Sequence, residues 1–180
     1  MFKSTPFEGL YIIEPKIFKD DRGYFFESFN QNNFEELNSS FVQDNESHSS
    51  YGTIRGLHFQ KGEHAQAKLV RVVSGRILDV VVDLRPNSKT YSQVYTIELS
   101  DQNKKQLYIP KGFAHGFSVL SEEARFQYKC DEFYAPQSEG GIRYDDPDLA
   151  IDWGIPEDQV NISPKDLELP SLSSIERVTK

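Results

Sequence analysis

Two histidines lie in glycine-flanked segments that read as β-strands. His58 stands in RGLHFQ (55–60) and His115 in GFAHGF (112–117). Glycine inside a strand often marks a bulge or the close approach of a ligand, and histidine is well suited to moving protons near neutral pH. Either histidine alone could also be an ordinary core residue with hydrogen-bonded ring nitrogens, because histidine is often partly buried. As a pair they are candidates for acid–base chemistry.

A tyrosine and several cations extend this candidate set. Tyr128 is a possible acid, although a core tyrosine with a partnered hydroxyl is ordinary. Lys68 begins a strand, and Arg22, Arg55 and Lys165 stand next to Gly, Pro or Asp. Each cation alone is typical of a solvated surface charge, and Arg22 could simply pair with an acidic neighbour. Together these residue types fit proton transfer without a metal or a nucleophile, but they indicate no substrate.

A metal site is the main chemical alternative. His58, Glu63, His64 and His115 could supply two histidines and a carboxylate. The usual pattern in small β-barrels is His-x-His, however, and Gln60 stands where the second histidine would follow His58. We therefore expect no metal and no other cofactor.

The elements that must position these residues are mostly strands. Apolar alternation between turn signals predicts strands over 23–29, 53–60, 68–73, 77–85, 91–100, 105–109, 113–120 and 124–134. One short helix is expected over 30–41, and an irregular tail is expected to lie over the body after Trp153. Many short strands at close spacing indicate a single all-β domain, a sandwich or barrel, over residues 1–180.

One predicted strand carries two acids among apolar residues. Ile77, Asp79, Val81 and Asp83 alternate and so share one face of their strand. Buried carboxylates need hydrogen-bonding partners. We therefore expect a partly polar interior.

Composition excludes several classes of function. The 180 residues carry a formal net charge of −8, with 20 Lys and Arg against 28 Asp and Glu. This balance disfavours nucleic acid and anionic membranes as partners and, taken naively, an anionic small ligand as well. The single cysteine excludes an intrachain disulfide, and no apolar run is long enough to span a membrane. With no signal peptide recognisable at its start, the chain is expected to be cytoplasmic.

Six motifs in order resemble the dTDP-4-dehydrorhamnose 3,5-epimerase family over about residues 11–166. They are DDRGYFFESF (20–29), FVQDN (41–45), RGLHFQ (55–60), KLVRVVSG (68–75), IPKGFAHGF (109–117) and DPDLAIDW (146–153). The resemblance implies a metal-free, cupin-like jelly-roll barrel (a double-stranded β-helix). It also implies a homodimer that exchanges N-terminal strands, and a dTDP-sugar substrate.

The resemblance also implies catalytic roles. His58 would be the general base and Tyr128 the general acid on the opposite face. Asp166 would hold His58 as its dyad partner, although Asp79 or Asp83 could orient His58 instead. The implied reaction inverts C3 and C5 of dTDP-4-dehydro-6-deoxy-D-glucose through an enolate, giving dTDP-4-dehydro-L-rhamnose in dTDP-L-rhamnose biosynthesis.

Binding roles follow from the same resemblance. Lys68 and His115 would sit near the sugar, with Lys68 stabilising the enolate oxygen, and Tyr134 would stack on thymine. The nucleotide or sugar would be bound by Arg22, Glu27, Gln43, Asp44, Asn45, Arg55, Glu139 and Lys165.

Three other functions remain open at the level of sequence. An epimerase acting at C3 or C5 alone would use the same acid and base. A metal-dependent cupin would need the metal site considered above. A non-catalytic barrel would bind a sugar nucleotide without exchanging its protons.

Overall fold

The computed structural model describes residues 2–37 and 39–179. Three residues lie outside this description: residues 1 and 180, which end the expected domain, and Asn38, which is inside the expected helix. Over the described residues the chain forms fourteen strands: Phe2–Ser4 (β1), Tyr11–Ile13 (β2), Phe18–Asp20 (β3), Gly23–Phe25 (β4), Gln43–Ser50 (β5), Thr53–Gln60 (β6), Lys68–Ser74 (β7), Arg76–Asp83 (β8), Val94–Ser100 (β9), Gln106–Ile109 (β10), Phe113–Val119 (β11), Glu123–Cys130 (β12), Glu139–Gly141 (β13) and Asn161–Ile162 (β14).

Helical segments are short. Within residues 2–37 and 39–179, four 3₁₀ turns cover Gln31–Leu37, Gly62–His64, Pro136–Ser138 and Glu157–Gln159, and two α-helices cover Pro164–Leu167 (α1) and Leu172–Thr179 (α2). No helix in the described part of the chain is both long and apolar enough to cross a membrane.

The strands form two facing sheets. The first sheet has the order β1-β2-β10-β7-β12-β5, and the second has the order β13-β6-β11-β8-β9, with β14 added in parallel to β6. A separate hairpin pairs β3 with β4. The all-β jelly-roll expected from the sequence is confirmed.

A buried cluster joins the two sheets. The first sheet contributes Val70, Val72, Leu107 and Phe126, and the second contributes Ile77, Val81, Phe113 and Phe117. Asp79 and Asp83 share the face of Ile77 and Val81, and both are fully buried. Each has partners: Asp79 bonds to a histidine, and Asp83 accepts hydrogen bonds from Arg85, Ser88 and Thr90. The partly polar interior expected from the alternation is therefore present.

The tail is more regular than its sequence indicates. It packs Val160, Ile162, Leu172 and Ile175 against Ile54, Leu57, Val80, Val82 and Ala114 on the outer face of the second sheet. The expectation that this tail lies over the body is thus confirmed, but the expectation that it is irregular is wrong from β14 onward. Ser163 caps α1, and Pro164 takes its first position; a helix this short leaves no periodic pattern to detect.

Two N-terminal predictions also need correction. The helix expected over 30–41 is a 3₁₀ segment over Gln31–Leu37, where Phe34 is buried among Phe29, Phe41 and Tyr108. The strand expected over 23–29 ends at Phe25, because among the described residues it pairs only with the short strand β3.

Candidate active site

A cleft of about 740 Å³ opens between the two sheets and is closed at one side by α1. The side chains with candidate roles near the sugar come from five elements. They are His58 on β6, Lys68 on β7, His115 on β11, Tyr128 on β12 and Asp166 on α1. The cleft therefore combines residues that lie far apart in the sequence.

His58 is held by Asp166. The His58 Nε2 to Asp166 Oδ1 distance is 2.7 Å, and the Asp166 side chain is only 6% exposed against 32% for His58. Burial alone would raise the pKa of Asp166, but hydrogen bonds from His58, the Gly56 N–H and Ser163 lower it overall. Asp166 is thus an anion that accepts the Nε2 proton, which leaves Nδ1 of His58 as its basic nitrogen.

A second histidine–carboxylate pair lies beside the first. His115 Nε2 is 2.9 Å from Asp79 Oδ2, and both side chains are buried. Asp83 is engaged by Arg85 at 2.8 Å. With Asp79 and Asp83 occupied elsewhere, Asp166 is the carboxylate that orients His58.

The glycines around these histidines make a bulge. His58 faces His115 in the β6–β11 register, which shifts between His115 and Phe117. A Cβ on Gly116 would lie 2.6 Å from the Arg55 carbonyl oxygen, and one on Gly56 would lie 2.6 Å from the Gly116 Cα. The sequence allows either a bulge or the close approach of a ligand at these glycines, and the structure shows a bulge.

Tyr128 and Lys68 stand on the wall opposite His58. The Lys68 Nζ lies 5.8 Å from the centre of the Tyr128 ring. Burial raises the pKa of the Tyr128 hydroxyl and lowers the pKa of the Lys68 ammonium. At neutral pH Tyr128 therefore keeps the proton that an acid must donate.

A smaller cavity of about 110 Å³ adjoins the cleft and shares His58, Lys68 and Tyr128 with it. Its walls add Gln43, Asn45, Tyr134 and Glu139. One Glu139 oxygen accepts hydrogen bonds from the Tyr134 hydroxyl at 3.0 Å and from Lys165 at 2.7 Å. Half of Tyr134 is exposed, which leaves its ring available for stacking.

Eleven of the fourteen residues expected from the sequence line one or other cavity. They are Gln43, Asn45, Arg55, His58, Lys68, His115, Tyr128, Tyr134, Glu139, Lys165 and Asp166. Arg55 also donates from Nε to Ser49 Oγ at 2.9 Å.

Three expected residues line neither cavity within one chain. Arg22, at the tip of the β3–β4 hairpin, pairs with Asp20 and is almost fully exposed. Glu27 accepts a hydrogen bond from Asn33, and Asp44 pairs with Lys129 on the other face of β5.

Sequence reasoning missed the serines of the cleft. Ser47, Ser49, Ser50 and Ser163 all line it. The first three lie on β5, whose sequence QDNESHSS has no apolar residue. Without apolar alternation no signal separates its inward side chains from its outward ones.

No group of three or more His, Cys, Asp or Glu side chains within the described residues could hold a metal ion. Of the four residues weighed as metal ligands, His58 and His115 bond to carboxylates, and His64 bonds to Ser138 at 2.9 Å.

A jelly-roll barrel with a histidine–aspartate dyad facing a partly buried tyrosine defines a protein equipped for proton transfer on two faces of a bound molecule. Residues 4–174 match the family model described as dTDP-4-dehydrorhamnose 3,5-epimerase. The chain belongs to this family of isomerases, and the resemblance in its motifs is confirmed.

Close relatives cover nearly the whole chain. The dTDP-4-dehydrorhamnose 3,5-epimerase of Escherichia coli (strain K12) is 51% identical over 177 residues, which are 97% of this chain and 95% of that protein. The crystal structure of the enzyme of that name from Elizabethkingia anophelis NUHP1 is 55% identical, with a TM-score of 0.92 over 97% of each chain. A dTDP-6-deoxy-D-glucose-3,5-epimerase from Legionella pneumophila Philadelphia 1, solved in complex with dTDP-4-keto-L-rhamnose, is 49% identical; its TM-score is 0.93 over 99% of this chain and 95% of that one.

Proposed function

We propose that this protein is a dTDP-4-dehydrorhamnose 3,5-epimerase, which converts dTDP-4-dehydro-6-deoxy-D-glucose to dTDP-4-dehydro-L-rhamnose. The observation that carries the proposal is the placement of His58, backed by Asp166, and Tyr128 on opposing sheets of one cleft. Inverting a carbon requires a base on one side of the sugar and an acid on the other.

The proton transfers balance with these groups and solvent water. C3 and C5 flank the C4 ketone, so the same carbonyl acidifies both C–H bonds. His58 Nδ1 takes the proton, and the C–H electron pair moves into an enolate whose charge develops on the C4 oxygen. Lys68 stabilises that oxyanion. The Tyr128 hydroxyl then delivers a proton to the opposite face, and the ketone re-forms without oxidation or reduction. Solvent takes the proton from His58 and returns one to Tyr128, so that the same pair can act on the second carbon.

The charges around the two cavities suit a nucleotide diphosphate. Arg55, Lys68 and Lys165 are cations on their walls, although the chain as a whole carries a net charge of −8. Local placement decides the field at a site. Tyr134, Gln43, Asn45 and Glu139 would receive the thymidine end, with Tyr134 stacked on thymine.

A homodimer with exchanged N-terminal strands would explain why Arg22 and Glu27 lie outside the cleft of their own chain. The hairpin near them exposes Phe18, Tyr24 and Phe25, of which Phe25 is 69% exposed. Apolar side chains grouped at one hairpin favour cover by another surface. In this arrangement Arg22 and Glu27 reach the partner's substrate. The cytoplasmic location stays a prediction from the sequence.

Solvent exchange tests the function directly. The protein is incubated in deuterium oxide with dTDP-4-dehydro-6-deoxy-D-glucose, and the sugar is followed by NMR. We expect deuterium at both C3 and C5, with conversion to the L-sugar. Label at one carbon would favour the single-site epimerase, and no label with tight substrate binding would favour the non-catalytic barrel. Loss of activity to a chelator would point to the metal-dependent alternative.

A further inference from the structure

One ion pair stands where the two cavities meet. The Lys165 Nζ on α1 lies 2.7 Å from a Glu139 oxygen on β13. Lys165 lines the larger cleft, and Glu139 lines the smaller cavity. The Lys165 side chain is 63% exposed and that of Glu139 is 24% exposed. Both partners are therefore open to solvent, and a ligand that enters the cleft can reach the pair.

Both members of the pair are charged at neutral pH. Burial alone would raise the pKa of Glu139, but hydrogen bonds from Lys165 and from the Tyr134 hydroxyl lower it overall. The hydrogen bond to Glu139 raises the pKa of Lys165. An ion pair this exposed stabilises a fold only slightly. Lys165 can therefore exchange Glu139 for another anion at little cost to the fold.

Lys165 differs from the other cations of the larger cleft in having a carboxylate partner. Arg55, Lys68 and Lys165 all line this cleft. Arg55 donates to a serine hydroxyl, and the Lys68 Nζ faces a tyrosine ring. Of these three cations, only Lys165 forms an ion pair within the described part of the chain. An anion that binds the three cations together meets a competing carboxylate at Lys165 alone.

The competition follows from the charges involved. An ammonium can donate three hydrogen bonds, so Lys165 could bond to a phosphate while it stays near Glu139. The phosphate would then stand beside the carboxylate, and like charges at such short distances repel. Binding of a diphosphate at Lys165 therefore disfavours the contact with Glu139.

We propose that Glu139 competes with the diphosphate of the substrate for Lys165, so that this ion pair is a self-blocking contact of the free protein that opens when substrate binds. The inference rests on the proposed function, which supplies a diphosphate as the ligand. It makes Glu139 a residue that lowers the affinity of the cleft for the diphosphate.

Glu139→Gln should therefore strengthen the binding of inorganic pyrophosphate. The amide keeps the size of the side chain but removes the competing charge, and we expect the dissociation constant to fall roughly 2–5-fold. Pyrophosphate is the probe because it lacks thymidine, so that a contact between Glu139 and the nucleoside does not enter the measurement. A carboxylate that instead aimed Lys165 at the anion would make the variant bind less tightly.

A double-mutant cycle tests whether the effect passes through Lys165. Calorimetric titration at low ionic strength, where charges are least screened, measures pyrophosphate binding by the unaltered protein, Glu139→Gln, Lys165→Gln and the double variant. Lys165→Gln should weaken binding, and adding Glu139→Gln to it should bring no gain, because the lysine for which the two anions compete is gone. If Glu139 repelled anions through its charge alone, the gain would persist without the lysine.

The matched control for Glu139→Gln is Glu98→Gln. The Glu98 carboxylate also forms an exposed ion pair, with Arg76 at 3.2 Å, but it lines neither of the two cavities. This variant should bind pyrophosphate with unchanged affinity.

Three results would overturn the proposal: no gain in affinity for Glu139→Gln, a gain that persists in the Lys165→Gln background, or no binding of pyrophosphate by the unaltered protein. The deuterium experiment is read separately on the unaltered protein. If label enters C3 and C5 while Glu139→Gln shows no gain, the function stands and the competition for Lys165 falls. If no label enters, the proposed function itself fails.

Discussion

At the scale of residues, the cleft contains two histidine–carboxylate pairs in different surroundings. His58 is a third exposed and faces the cleft, whereas the His115 side chain is 8% exposed and stacks on Phe126. A base must reach its substrate. The greater exposure of His58 therefore favours it as the base, whereas His115 forms part of the wall of the cleft.

Replacing Asp166 tests the orientation of the base. Asp166→Asn should lower kcat by about 10²–10⁴, because an amide at this position neither fixes the productive tautomer of His58 nor stabilises its imidazolium. Steady-state kinetics measure the loss. Asp145→Asn is the matched control, since Asp145 pairs with Arg143 at the surface and should leave kcat unchanged. Equal rates for the two variants would contradict the dyad.

Replacing Tyr128 separates proton removal from proton delivery. Tyr128→Phe keeps the ring but loses the acid, so formation of the L-sugar should fall by about 10²–10⁴. Because His58 remains, the substrate should still exchange C–H protons with deuterium oxide without inversion. NMR reports both events, and Tyr51→Phe, at an exposed turn, is the control. An undiminished yield of the L-sugar would remove Tyr128 from the mechanism.

Sequence reasoning at this scale depended on the motifs. They pointed to His58, Tyr128 and Asp166, and the structure brings these residues to one cleft. Residue types alone left Asp79 and Asp83 as possible partners of His58, because alternation assigns a face to a side chain but not a neighbour. Ser47 was not predicted as a cleft residue, because the sequence of a wholly polar strand does not distinguish one serine from another.

At the scale of elements, the close contact of β6 with β11 sets the spacing of the two histidines. Gly116→Ala should push these strands apart, since the added Cβ meets the backbone of Arg55. We expect a loss of about 2–3 kcal/mol in the free energy of unfolding and a clear fall in kcat. Urea denaturation and kinetics measure the two quantities.

Gly62 provides the control for this substitution. Unlike Gly116, it has a positive φ-angle, but a Cβ there meets nothing within 4 Å. Gly62→Ala should therefore cost about 1 kcal/mol through backbone strain while kcat is kept. If Gly116→Ala retained full activity, the close approach would have no part in positioning the site.

The Asp83 cluster at the end of β8 predicts an acid-sensitive contribution to stability. Burial alone would raise the pKa of Asp83, but hydrogen bonds from Arg85, Ser88 and Thr90 lower it from 3.8 to about 2. A lowered pKa stabilises the fold above pH 4 and loses this effect as the pH falls towards 2, a contribution of about 2 kcal/mol. Asp83→Asn should lower the free energy of unfolding by this amount at pH 7 and flatten its change between pH 4 and pH 2. Urea titrations at several pH values check both, and an unchanged acid profile would contradict the assignment.

The sequence predicts a strand best where apolar residues and turn signals mark both of its ends. Thr53–Gln60 matches its prediction at both ends, because apolar residues and turn signals bound it. The polar strand β5 was missed, since its stability comes from pairing with β12 rather than from apolar side chains. Three-residue strands such as β1 and β2 are too short to show a period.

At the scale of the whole molecule, the proposed dimer makes each site depend on two chains. We predict that Arg22→Ala and His58→Asn, each poorly active alone, restore activity when their chains are mixed and allowed to exchange. The mixed dimer then holds one site with an intact His58 and an intact Arg22 from the partner. Roughly a quarter of full activity is expected at equal mixing.

The control for this experiment is a mixture that cannot complement. His58→Asn mixed with Tyr128→Phe should stay inactive if both of these residues act within their own cleft. If Arg22→Ala and His58→Asn likewise fail to complement although light scattering shows mixed dimers, Arg22 does not act across the interface. Nothing in the composition or charge of one chain could have predicted such sharing, because it depends on a surface that only the second copy supplies.

The four-residue helix α1, which carries Asp166, has a consequence for the temperature at which the protein works. So short an element is held mainly by its Ser163 cap and by the contacts of Asp166 with Gly56 and His58, and such segments open locally at less cost than the sheets. On warming, we expect turnover to fail reversibly while circular dichroism still reports an intact barrel. Bound substrate engages Lys165, next to Asp166. It should therefore raise the temperature at which turnover fails by more than it raises the melting temperature of the barrel.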